Sequence, residues 1–147
     1  MTRREMLFAI KKQWPNAYLI DVVGAVILHG NTIIVDENYY LPHEKDVEKL
    51  IFFRPFWKFW INPSRIPDKS DCDDWSVKYY YDVRHAYSGK DVLAYGMCGG
   101  KFPRIHKTQN HLMNFMMCQG EIAKLHDPQS GEIWTATAED KAWFWWI

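Results

Sequence analysis

The chain has 147 residues, with 18 basic and 18 acidic side chains and so no net formal charge. That length predicts one domain able to bury a core, and the balanced charge excludes the global electrostatic attraction that a nucleic-acid binder uses. Aromatic residues make up 16% of the chain, eight of them tryptophans, which calls for either a dense aromatic core or an adhesive surface.

The opening segment, MTRREMLFAIKKQW, is charged and lacks the apolar core of a signal peptide. Met6, Leu7, Ile10 and Trp14 recur at helical spacing until Pro15 and Asn16, which predicts an amphipathic helix over 3–13. Residues 18–28 and 32–35 are rich in β-branched side chains around the sequence HGN and predict a hairpin. The longest apolar run, VVGAVIL at 22–28, is too short to span a bilayer. In LPHEKDVEKLIFF, Pro42 stands near a helix start, and Val47, Leu50 and Ile51 share one face of a second short helix.

Six aromatics crowd the stretch from Phe52 to Trp60. Two readings stay open there: packing over the main helix, or an exposed patch for a partner or a membrane interface. Pro63 and Pro67 mark a loop. The strongest helix signal covers 71–88. Asp71 is a good N-cap, and Asp73 and Asp74 occupy the first turn, where the dipole favours negative charge. Cys72, Trp75, Ser76, Tyr79, Val83 and Ala86 share one face, and Gly89 is a stop. Residues 91–98 predict a strand followed by a flexible Gly99-Gly100, and 111–118, 122–126 and 132–136 predict three more. The tail AWFWWI should pack.

The three cysteines, Cys72, Cys98 and Cys118, show no Cys-x-x-Cys spacing, so neither a disulfide framework nor a zinc ribbon is expected. Cys72 is the unusual one, set among three aspartates at the first turn of a helix. Unpaired backbone N–H groups there can stabilise a thiolate. A base must come from His29, His43, His85, His106, His111 or His126. Folding HLMNFMMCQGEIAKLHD about Gln119 puts His111 opposite Asp127, and opposed residues share a sheet face. A base and the group that orients it would then point the same way. Each element alone has an ordinary reading: a structural cysteine, a hydrogen-bonded strand histidine, an aspartate forming a turn before Pro128. Cys118 should pack in its strand, and Cys98, beside Gly99 and Gly100, should line the cleft. The order of nucleophile on a helix, base on a strand and carboxylate on the next strand is that of papain-like peptidases.

The segments DCDDW, NHLMN and LHDPQSGEIW, with the lead-in ENYYLPHEKDVEKLI, resemble the papain-like C-terminal domain of Marasmius-type fungal agglutinins and the small phage proteins related to it. The resemblance covers about residues 36–136, leaving 1–35 as an N-terminal extension of helix and hairpin. It implies a single papain-like domain of the α+β class, with N-terminal helices, including a central cysteine-bearing one, on a small antiparallel sheet. It implies Cys72 as nucleophile, His111 as general base, and Asp127 in place of the family's orienting glutamate. Asp73 and Asp74 match an acidic pair that helps bind calcium in the fungal enzymes, and a dication there would offset the charge around the thiol. Asn114 matches the family asparagine.

The chain departs from the pattern at several points. Asn110 replaces a glycine, Leu112 and Met113 are bulkier than their counterparts, and Asp127 is one methylene shorter than glutamate. No clear glutamine precedes Cys72 to serve an oxyanion hole, a task that backbone N–H groups at the helix start could take. Two functions follow as expectations. One is a cysteine peptidase or amidase acting on a peptide or protein. The other is a catalytically inactive scaffold, serving as a virion component or binding a host protein. Either implies a phage-encoded chain located in the host cytoplasm or the virion.

Overall fold

The computed structural model describes residues 1–17, 32–34, 36–52, 72–87 and 91–147. The expected Asp71 cap, the Gly89 stop, the Phe53 to Trp60 aromatics, the Pro63 and Pro67 loop and residues 18–28 lie outside them.

Helix α1 runs from Arg3–Gln13. Its start is fixed by a reciprocal capping box, in which Glu5 N donates to Thr2 Oγ1 at 3.3 Å and Thr2 N donates to Glu5 Oε2 at 2.7 Å. Strands β1 (Thr32–Ile33) and β2 (Tyr39–Tyr40) follow, then a single 3₁₀ turn at Glu44–Asp46 leading into α2 (Val47–Phe52). Helix α3 spans Cys72–Ala86. The rest of the chain is strands: β3 (Val92–Leu93), β4 (Tyr95–Lys101), β5 (His111–Cys118), β6 (Ile122–His126), β7 (Ile133–Thr135) and β8 (Lys141–Trp146). The protein is α+β. Six strands form one sheet in the order β1-β8-β4-β5-β6-β7, and β2 pairs with β3 separately. Every neighbouring pair in the large sheet is antiparallel except β1 with β8. Among the described residues no helix is long and apolar enough to cross a membrane.

β5 explains the layering. Its side chains alternate between the two faces, and nearly all of them are buried. Met113, Phe115 and Met117 join a core with α1, where Trp14 meets Phe115 edge-on at 6.2 Å and Trp145 at 5.7 Å. Met116 and Cys118 join a second core on the other face, with Tyr79 and Val83 of α3 and Val47 and Ile51 of α2. The aromatic surplus therefore supplies core on the α1 side, and Trp14 Nε1 is satisfied by the Asp140 carbonyl at 2.8 Å.

Two sequence expectations change. The 91–98 strand is two strands, and the second continues to Lys101. Gly99 and Gly100 are therefore not a flexible linker; both are paired on two sides, with β5 and with β8. Gly100 is a glycine because β8 crosses so closely that an added Cβ would lie 2.3 Å from the Lys141 carbonyl oxygen. Thr32 and Ile33 pair in parallel with Trp145 and Trp146; the 18–28 half of the expected hairpin lies outside the described residues.

Candidate active site

Two polar bonds tie α3 to the middle of the sheet. Ser76 Oγ donates to the Leu112 carbonyl at 2.9 Å. Asn114 Nδ2 donates to the Ser76 carbonyl at 3.0 Å and to the Gly96 carbonyl at 3.2 Å. These bonds set the height of α3 along β5 and bring the first turn of the helix level with the start of the strand. Asn114 thus acts as a peg between helix and sheet.

Cys72 is the first residue of α3 and is half-buried. Leu112 N donates to its Sγ at 3.4 Å. The ladder explains why that donor is available. Met117 N bonds to the Ala94 carbonyl across β4, so alternation turns the even-numbered N–H groups of β5 toward β6. β6 stops at His126, opposite Asn114. The Leu112 N–H projects past that end and meets the thiol. The sulfur is therefore within about 6 Å of the His111 Cα.

His111 opens β5 and is only 5% exposed. Its Nε2 lies 3.0 Å from Asp127 Oδ1. Asp127 is 2% exposed and follows the last residue of β6. The tight turn to β7 closes by bonds from Gly131 N to the Asp127 carbonyl and from Asp127 N to the Glu132 carbonyl. Gly131 accepts the left-handed conformation this turn needs, at φ 78°. The carboxylate also receives Ser130 Oγ at 2.6 Å, Ser130 N at 3.2 Å and Gln129 N at 3.3 Å. Burial alone would raise the Asp127 pKa, but the bonds from His111 and Ser130 outweigh it and bring it down to about 2. An ionised Asp127 held in this way keeps the proton on His111 Nε2, the nitrogen that faces it.

The sequence placed Cys72, His111 and Asp127 together, and the structure gathers them at one end of the sheet. The hairpin is centred on Gly120, not Gln119: Cys118 pairs with Ile122 and Asn114 with His126. His111 and Asp127 are consequently diagonal rather than directly opposed, a separation their side chains span. Sequence reasoning missed Ser130 as the anchor of Asp127. The signal was present in Asp-Pro-Gln-Ser, the spacing of an Asx-type turn. His106, another of the six candidate bases, packs its ring edge-on against His111 at 5.5 Å.

Cys98 does not line the cleft. It is wholly buried in the α1-side core, across the sheet from α3, and burial pushes its thiol well above the ordinary value. Cys118 is buried in its strand, as expected, with its thiol raised to about 12, chiefly by burial and then by Glu44. Asp73 and Asp74 are exposed in the first turn of α3. Among the described residues no group of three or more histidine, cysteine or acidic side chains is placed to hold a metal ion. The two aspartates alone do not make up the six or more oxygen ligands that calcium takes.

No protein-family model matches the chain, and no curated protein matches it. Among solved structures it is similar to one described as the PSL1a–E64 complex, at 14% identity and a TM-score of 0.64. The likeness covers all of this chain and 50% of that one, so this chain spans half the neighbour's length. At that identity the likeness concerns the fold alone.

Proposed function

We propose that this chain is a papain-like cysteine hydrolase, a peptidase or amidase, with Cys72, His111 and Asp127 as its triad. The observation that carries the reading is the Cys72 sulfur bonded to the peptide that joins His111 to Leu112, with Asp127 on Nε2 of the same imidazole. In this mechanism His111 Nδ1 takes the thiol proton as Cys72 Sγ attacks the substrate carbonyl, and it gives that proton to the departing amine. Water then cleaves the thioester with the same imidazole as base. Backbone N–H groups at the start of α3 are the available donors for the oxyanion. Further support comes from the resemblance to the agglutinin domain and its phage relatives, and from the likeness to PSL1a, a protein whose structure was solved in complex with E64. The same resemblance suggests a phage-encoded chain acting in the host cytoplasm or carried in the virion, with calcium at Asp73 and Asp74 as an accessory.

The test is the rate of iodoacetamide alkylation against pH, with and without calcium. Cys98 and Cys118 are buried, so the native chain should expose one reactive thiol and the urea-unfolded chain all three. A Cys72 rate still high near about pH 6, and lost in His111→Ala, is the expected result for an activated pair. A rate that follows an ordinary thiol and ignores His111 refutes it. A second reading, the inactive scaffold that binds a virion or host protein, is favoured by one observation. His111 is nearly fully buried beneath His106, and a working base must reach its substrate.

A further inference from the structure

Beside the C-terminal end of α1 a groove of about 740 Å³ opens against β4 and β8. Its size is that of a ligand pocket. Gln13 and Pro15 line one side, and Lys101, Lys141, Ala142 and Trp143 the other; Asp140 also lines it, but is buried with its Oδ2 already receiving Thr137 N and Oγ1. Two features of the second wall are unusual for a sheet.

Lys101 and Lys141 are direct cross-strand partners and both are exposed. Like charges directly opposed in an antiparallel pair destabilise it. Among the described residues neither lysine makes an ion pair. Lys12, also on the rim, is already met by Glu121 at 2.7 Å. The second feature is a slip in register. Gly99 pairs with Phe144 and Gly100 with Ala142, which makes Trp143 the extra residue of a β-bulge. A bulge re-aims a side chain, and Trp143 is 39% exposed where its neighbours Ala142 and Trp145 are buried.

We propose that this groove binds an acidic peptide segment, its carboxylates on Lys101 and Lys141 and an apolar side chain against Trp143. Two separate ammonium groups suit two separate carboxylates. Among the described residues the groove offers no arginine fork of the kind that grips a phosphate in bidentate fashion. Gln13 adds an amide that can both donate and accept, as a peptide backbone requires. The chain as a whole carries no net charge, so the attraction is local to the groove and not that of a general polyanion binder. The inference does not rest on the hydrolase reading.

Calorimetric titration of the full chain carrying Cys72→Ala, which removes any turnover, tests it with a capped glutamate-rich octapeptide holding a central phenylalanine. The expected result is binding that weakens with added salt. It should be roughly 10-fold weaker for the all-glutamine analogue and for Lys101→Gln/Lys141→Gln, as charge-assisted contacts are lost, and also reduced by Trp143→Ala. If the double variant loses its native circular dichroism, Lys141→Gln alone must still weaken binding several-fold. Equal affinity for the neutral peptide, indifference to the lysine changes, or tighter binding of inorganic phosphate or a single-stranded oligonucleotide than of the peptide would overturn the proposal. Iodoacetamide kinetics on the wild-type chain are read separately, so failure here leaves the triad untouched.

Discussion

Asp127 is a carboxylate that burial should neutralise, yet four hydrogen bonds keep it charged. The sign of its contribution follows from the direction of the shift. The folded value, about 2, lies below the ordinary 3.8, so the ionised form favours the fold. That stabilisation is complete above about pH 4 and is lost as pH falls through about 2. Asp127→Asn should therefore lower the unfolding free energy by ~2 kcal/mol at neutral pH, with the gap to wild type closing toward pH 2. Urea titrations of both proteins across that range would show it. The residue types were legible in the sequence because a helix-start thiol, a strand histidine and a nearby acid each have a recognisable chemistry. Ser130 was not, because its role depends on a turn whose closure only the Glu132 and Gly131 backbone bonds reveal.

Elements were readable where a local pattern decides them. The 3–13 helix, the second short helix, which the structure shows as a 3₁₀ turn leading into Val47–Phe52, and the strand at 111–118 follow from periodicity and caps. The hairpin centre was misjudged by one residue, yet the faces survived. Moving the centre of an antiparallel hairpin by one shifts each pairing by two, and two is the period of a strand. What the sequence could not convey was the identity of neighbours brought from afar, as at Gly99-Gly100. The structure separates these glycines: at Gly99 an added Cβ makes ordinary contact with Leu112 at 3.4 Å, while at Gly100 it strikes β8 backbone. Gly99→Ala should cost under about 1 kcal/mol and Gly100→Ala about 3 kcal/mol. Thermal or urea unfolding of the two variants side by side would check the contrast.

At the scale of the molecule, length predicted one domain and composition either an aromatic core or an adhesive surface, but not which strand would stand at the middle of the sheet. The tail was expected only to pack. Instead β8 enters the sheet between β1 and β4 and carries Trp145, fully buried against Trp14. Periodicity could not anticipate this, because the partners of β8 lie more than a hundred residues away at Thr32–Ile33 and some forty away along β4. Trp145→Ala should destabilise the protein by about 4 kcal/mol, a loss large enough to read as a clear drop in the urea midpoint.

The position of β8 also sets a timetable for synthesis. A ribosome delivers the chain from its N-terminal side at about 5–20 residues per second. The strand that bridges β1 to the β4–β7 meander is the last of the described strands to emerge. Until it does, β1 lacks its partner among the described strands and the outer edge of β4 stands open. For that interval the nascent protein displays an unpaired strand edge and an unfinished apolar core, the features that invite misassociation or a holding chaperone. Of the described strands, the last to be synthesised is this one short tryptophan-rich strand.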